Sequence, residues 1–296
     1  MPGRRRSFLR NWAEYLAALV VLALLRRLPL PAAGLVARCC ARLLDAAMPR
    51  LRRTALDNLA MAMPELDSSR RAQIVDGVFA SIARVLLAFA RFPDLNPENI
   101  HRWIAYDGFE HFEAAKRRGR GVLFATGHLG NWELSAFAHA LLSEPMHVVV
   151  RPLDNPLIDR LVETRRALSG NRIIEKRDFA RSILNALAAN EAVGILVDQN
   201  ASLDNGVFVD FFGTPACTGA TFARLAAHTG ATVIPGFALW MEKEKRYRLK
   251  FYPPVEITGD LTADTQRIQK AVEAAIREYP DQWLWIHRRW KTRPPA

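Results

Sequence analysis

From Gly108 onward, short apolar runs alternate with helix-length segments, and this alternation restricts the available folds more than any other feature of the chain. The runs predicted as strands are Val122–Thr126, His147–Val150, Arg172–Ile174, Val193–Val197, Thr232–Phe237 and Tyr247–Phe251. The segments between them predict helices over Trp132–Leu142, Pro156–Leu168, Phe179–Ala189 and Thr218–Thr229, with a final helix over Thr262–Tyr279. Strands separated by helices pair through crossovers, so the expected class is α/β: a mixed, largely parallel sheet covered by helices.

Upstream of Gly108 the pattern is helical. Helices are predicted over Gly34–Ala47, Arg50–Met63 and Ser68–Ala90, punctuated by Pro31, Pro49, Pro64 and Pro93, and Asp94–Asp107 reads as a connector. Asp67 is a helix N-cap candidate. Arg4, Arg5 and Arg6 precede an unbroken apolar run from Tyr15 to Leu25, closed by Arg26 and Arg27. This run is shorter than the roughly 20 residues a straight spanning helix needs, and no A-x-A cleavage site follows it. A core helix is one reading. Arginines at both ends, with Trp12 and Tyr15 at the start, favour a membrane anchor that lies in the interface or spans briefly. The expected organisation is an N-terminal hydrophobic anchor and helix over 1–45, a helical membrane-proximal segment over 46–107 and an α/β domain over 108–296.

The net charge of +11 points to acidic partners: nucleic acid, anionic lipid or an acidic carrier protein. Cys39 and Cys40 are adjacent and Cys217 stands alone, so no disulfide framework or zinc spacing exists and a reducing, cytoplasm-facing location is expected. Gly119-Arg120-Gly121 does not complete G-x-G-x-x-G and no Walker A sequence occurs, which argues against nucleotide binding.

Val122–Thr126 is apolar as a buried parallel strand should be, and it runs straight into Gly127-His128. His128 is thereby placed past the carboxyl end of a strand, where open α/β sheets put their chemistry. Glu133 lies five residues on. One continuous helix would set the two side chains about 140° apart, but a glycine-containing turn lets the histidine face a carboxylate in the first helical turn. Asn131 is a plausible N-cap there. A histidine held by a carboxylate is a general base. No G-x-S-x-G elbow or nearby cysteine supplies a nucleophile, so a substrate hydroxyl is the expected attacking group.

Gly127-His128-Leu129-Gly130-Asn131-Trp132-Glu133 resembles the H-x4-D/E box of glycerolipid and lysophospholipid acyltransferases. It is closer still to the bacterial lipid A late acyltransferases, the lauroyl/myristoyl acyltransferase family. Val150–Asp159 resembles that family's second block. Phe211–Thr218 followed by Leu225–Ala231 resembles the third, and Trp285–Pro294 the C-terminal signature. The resemblance implies that His128 is the base and Glu133 its support, and that Arg166 (or the adjoining Arg165) and Asp198 also contribute.

It further implies transfer of a fatty acyl group from an acyl carrier protein or coenzyme A thioester to a hydroxyl of a lipid A-type precursor. No metal or bound cofactor is expected. The implied partners are acyl carrier protein, an anionic glycolipid and the membrane, without nucleic acid, and the implied location is the bacterial inner membrane with the active site facing the cytoplasm. Arg166, Arg151, Asp198, Asn131 and Arg289 are the expected substrate-binding or oxyanion residues, assisted by backbone N–H groups at the helix start.

Three rivals remain: an acyltransferase acting on lysophospholipid or another glycolipid, a thioesterase or lipase using water, and a non-catalytic basic surface protein. Arg151 could instead pair with Asp154 or Asp159. The tryptophan-interleaved basic end, Trp283 to Arg293, is expected to face headgroups, with core tryptophans and a solvated basic tail as the alternative. His139, His147 and His228 show no metal-ligand pattern and are expected to be structural.

Overall fold

The computed structural model describes residues 7–175 and 179–295; Arg4, Arg5 and Arg6 lie outside the described residues. Four helices lead in: α1 (Phe8–Arg27), α2 (Leu30–Ala47), α3 (Pro49–Ala62) and α4 (Ser68–Arg91). Asp67 caps α4 as expected, its carboxylate accepting from the Arg70 amide at 2.7 Å. The apolar run is part of a 20-residue helix, α1, which at about 1.5 Å per residue is long enough to cross a bilayer. This helix packs against α2 and α4, with Leu22 and Leu25 buried. Phe8, Trp12, Leu16, Val20 and Leu24 form an exposed apolar stripe at four-residue spacing on its outer side.

The remaining elements are β1 (Ile104–Asp107), α5 (Phe109–Arg117), β2 (Val122–Thr126), α6 (Trp132–Leu142), β3 (His147–Val150), α7 (Pro156–Ala167), β4 (Arg172–Glu175), α8 (Phe179–Ala188) and β5 (Ala192–Leu196). After these come β6 (Gly206–Phe211), β7 (Thr214–Gly219), α9 (Thr221–Thr229), β8 (Thr232–Met241), β9 (Arg246–Phe251) and α10 (Leu261–Glu278). Among the described residues a seven-stranded sheet runs in the order β1-β9-β8-β2-β5-β3-β4. Its pairings are parallel except β8 with β9. The fold is the expected mixed, largely parallel α/β sheet covered by helices.

Successive side chains of β2 enter opposite cores, as strand pleating requires. Leu123 and Ala125 pack with Ile183 and Leu187 of α8 and Phe222 and Ala226 of α9. Phe124 packs on the other face against Phe112 of α5 and Phe251 of β9, at ring-centroid separations of 5.7 and 4.8 Å. The chain leaves β2 for α6 on the Phe124 face, whereas β5 continues towards α9 on the other. A crevice therefore opens at the carboxyl edge between these two strands.

Two sequence expectations are corrected. The connector Asp94–Asp107 contains the edge strand β1, paired with β9. The helix predicted from Thr218 begins at Thr221, because Thr214–Gly219 is the second strand of the β6–β7 hairpin. Phe212 and Gly213 turn this hairpin, both at positive φ (58° and 72°), as a two-residue loop that follows strand twist requires.

Candidate active site

His128 and Asp198 meet because β2 and β5 are parallel neighbours in register. Thr126 pairs with Leu196, so two residues further along each strand His128 and Asp198 stand side by side. Backbone geometry enforces the approach. A Cβ on Gly127 would come within 3.0 Å of the Asp198 carboxyl. Gly130 turns the chain at φ +67°, where a Cβ would strike the Ala238 carbonyl oxygen at 1.9 Å, so a side chain at either position would displace the loop.

Asp198 is 2 % exposed and accepts three hydrogen bonds. Its Oδ1 faces His128 Nδ1 at 3.0 Å, and its Oδ2 takes the His128 amide at 2.6 Å and the Trp283 indole N–H at 2.9 Å. Burial pushes the Asp198 carboxyl up. The His128 charge and these hydrogen bonds outweigh it, leaving the carboxyl at about 2. Burial likewise pushes His128 down, but the charge and hydrogen bond of Asp198, with Glu133 adding to them, raise it above its ordinary value against the opposing charge of Arg166. An ionised carboxylate only accepts, so Nδ1 carries the proton and the Nε2 lone pair is free to act as a base. The Gln199 side-chain amide lies 3.5 Å from Nε2, and the Trp132 ring packs edge-on at 5.0 Å.

The expected His128–Glu133 pairing is corrected by this geometry. Glu133 forms a two-pronged ion pair with Arg166, at 2.8 Å to Nε and 2.6 Å to Nη2. Asn131 caps α6, its Oδ1 accepting from the Leu134 amide at 3.0 Å, which starts the helix so that Glu133 projects towards α7 rather than back to the histidine. Arg165 donates to the Phe89 and Ala90 carbonyls at the end of α4, leaving Arg166 as the arginine of the site.

His128, Glu133, Arg166 and Arg151 all line one cavity of about 870 Å³, at the upper end of the range for small-molecule sites. Arg151 is exposed at its mouth. Its buried lining includes apolar Phe124, Met146, Leu249 and Phe251 alongside polar His139 and Asn171, with Met146 and Phe251 packed against Gly194 and Gly236.

Arg289 does not line this cavity. It is fully buried, donating to the Cys217 carbonyl at 2.9 Å and to Gln269 Oε1 at 3.2 Å. The tryptophans of the C-terminal block do not face outward: Trp283, Trp285 and Trp290 are core residues, whereas Arg288, Lys291 and Arg293 are exposed. Asn131 is likewise a buried cap. The helix-start N–H groups are partly committed: the amides of Gly130 and Asn131 donate to Gln282 and Ala238 carbonyls. Of the remaining histidines, His139 is buried against Tyr106 (2.7 Å to the hydroxyl), and His147 pairs with Glu191 at 2.7 Å.

What sequence reasoning missed is the role of Trp283, whose indole N–H reaches Asp198 and whose backbone bridges to Leu129 in the loop carrying the base. Its sole sequence signal was membership of a tryptophan-rich segment.

A sequence model of the family described as bacterial lipid A biosynthesis acyltransferase matches residues 3–292 of the chain. Among similar proteins, the lipid A biosynthesis lauroyltransferase of Escherichia coli (strain K12) is 30% identical over 291 residues, covering 96% of this chain and 93% of that protein. The palmitoleoyltransferase of the same organism is 28% identical, covering 98% and 95%. Its myristoyltransferase is 28% identical, covering 83% and 76%.

Proposed function

The chain belongs to the bacterial lipid A biosynthesis acyltransferase family, and from that premise we propose that it moves a fatty acyl chain from an acyl carrier protein thioester to a hydroxyl of a lipid A-type glycolipid precursor. The observation that carries this reading is the His128–Asp198 pair, with its free Nε2 at the wall of a cavity whose buried lining includes Phe124, Met146, Leu249 and Phe251. The acceptor hydroxyl displaces the Gln199 amide from Nε2 and gives up its proton there as its oxygen attacks the thioester carbonyl. The thiolate leaves, and the imidazolium formed is stabilised by Asp198. The amides of Trp132 and Glu133, at the positive end of α6, with Arg166 beside them, face the developing oxyanion.

The acyl chain occupies the cavity alongside Phe124, Met146, Leu249 and Phe251, and Arg151 at the mouth meets acceptor phosphate or carrier phosphopantetheine. No bound cofactor enters this sequence of steps. The exposed stripe of α1 and the net positive charge support attachment to the inner membrane with the site on its cytoplasmic side.

The test presents acyl carrier protein thioesters with a lipid A precursor and lysophosphatidate at equal concentration, and follows products by mass spectrometry. Faster acylation of the lipid A precursor is expected. Faster acylation of lysophosphatidate overturns the acceptor assignment, and release of free fatty acid alone makes the protein a thioesterase.

A further inference from the structure

We propose that Trp283 is a positioning residue of the reaction, its indole N–H and its backbone neighbours holding Asp198 and the His128 loop in one geometry. Residues 282–284 run antiparallel along the loop that carries the base. The Gly130 amide donates to the Gln282 carbonyl at 2.9 Å, and the Leu284 amide to the His128 carbonyl at 3.0 Å, with Leu129 bridged to Trp283 between them. The segment is itself fixed from two sides. Gln282 exchanges two hydrogen bonds with the Trp240 backbone, at 2.8 and 3.1 Å, and Asn58 of α3 donates to the Trp285 and His287 carbonyls at 2.7 and 2.8 Å. The Trp283 ring is 1 % exposed, packed against Trp285 at 4.5 Å and Phe211 at 5.8 Å, and it does not line the cavity. It therefore acts through Asp198.

With two donors on Oδ2, the carboxylate cannot rotate without losing both, and Oδ1 stays aimed at His128 Nδ1. The Trp283 N–H also disperses the carboxylate charge and is one of the contacts that hold Asp198 low. The other charged and titratable groups facing the pair are Glu133 and Arg166 across the cavity and His287 and Arg289 from the C-terminal segment. Replacing Trp283 leaves all of these in place. A carboxylate stripped of one donor attracts the imidazole proton more strongly, so His128 titrates at higher pH.

The proposal rests on the acyltransferase reading for its kinetic arm only. Trp283→Phe is compared with a variant carrying 3-benzothienylalanine at 283, which keeps the bicyclic shape and puts sulfur where the N–H was. Each is assayed by initial rates against pH and by NMR titration of the His128 ring, which needs no substrate. Expected are a fall in kcat of about tenfold, the scale of one hydrogen bond to a charged group, a KM within about twofold, and an acid limb and a ring titration both moved upward. If Trp283→Phe does not fold, the benzothienyl variant decides. Wild-type turnover and an unmoved His128 titration in that variant overturn the proposal, as does a loss confined to KM. A wild-type protein inactive with every thioester defeats the acyltransferase reading instead, and the ring titration still decides the role of Trp283.

Discussion

Asp198→Asn keeps the shape of a buried side chain and removes its charge, so its effect on turnover follows from the three donors around it. The amide must give one terminal atom to each side of the carboxylate site. Two N–H groups converge on the Oδ2 position, at 2.6 and 2.9 Å. An NH2 placed there would face both donors and leave them unpaired in a buried site, so the carbonyl oxygen takes it. The NH2 then faces His128 Nδ1, which must become an acceptor, and the imidazole proton moves to Nε2. The base is thereby protonated on the atom that should accept from the substrate. The expected loss in kcat is about 10³–10⁴-fold, the scale found when a carboxylate that fixes a catalytic imidazole becomes an amide. This corresponds to about 4–5.5 kcal/mol of transition-state stabilisation.

The pH profile carries a second signature. In the wild type, activity needs neutral His128, whose titration lies above the ordinary 6.5; the rate should therefore rise with pH through a midpoint above that value. Without the Asp198 charge the midpoint moves down while the plateau falls. Initial-rate assays across pH, with circular dichroism to confirm the fold, measure both. A folded Asp198→Asn enzyme with a plateau within tenfold of wild type, or with an unmoved acid limb, would refute the reasoning.

His128→Ala should cost about 10²–10⁴-fold in kcat, the range of a general base, with thermal unfolding little changed; near-wild-type turnover would end the mechanism. Glu133→Gln and Arg166→Gln should each lower activity, and the double variant should cost less than the two losses multiplied, because the pair acts as a unit. A double-mutant cycle showing independent effects would separate them. Leu16→Glu with Val20→Glu should move the protein from the membrane pellet towards the soluble fraction and leave residual binding that salt weakens, while the fold is kept, since both residues lie on the exposed face of α1. Unchanged flotation on liposomes would remove α1 from membrane attachment.

How far the site was legible in the sequence depended on whether each contact was local or between strands. A central strand buried on both faces gives an unbroken apolar run, as β2 does, and the sequence pattern places both β2 and the half-buried β3 to the residue. The edge strand Ile104–Asp107 has one buried residue and a polar end, and it reads as connector. His128 was visible because a glycine-flanked histidine directly after such a run stands at the carboxyl edge of the sheet, where side chains reach the crevice.

The identity of its carboxylate partner was harder to read. Glu133 is five residues away, Asp198 seventy, and a sequence shows only the nearer candidate as a neighbour. The decisive quantity is register. Val122-Leu-Phe-Ala-Thr126 and Ala192-Val-Gly-Ile-Leu196 are strands of equal length, paired end to end, and each reaches its polar side chain after one further residue, Gly127 or Val197. Once the two strands are known to be adjacent and parallel, equal overhangs bring His128 and Asp198 together and leave Glu133 to Arg166. Strand adjacency is set by packing of the whole sheet, and the local pattern carries no trace of it. The same limit hid Trp283, whose hydrogen bond to Asp198 spans 85 residues. A tryptophan among basic residues looks like an interfacial anchor until the fold turns it inward.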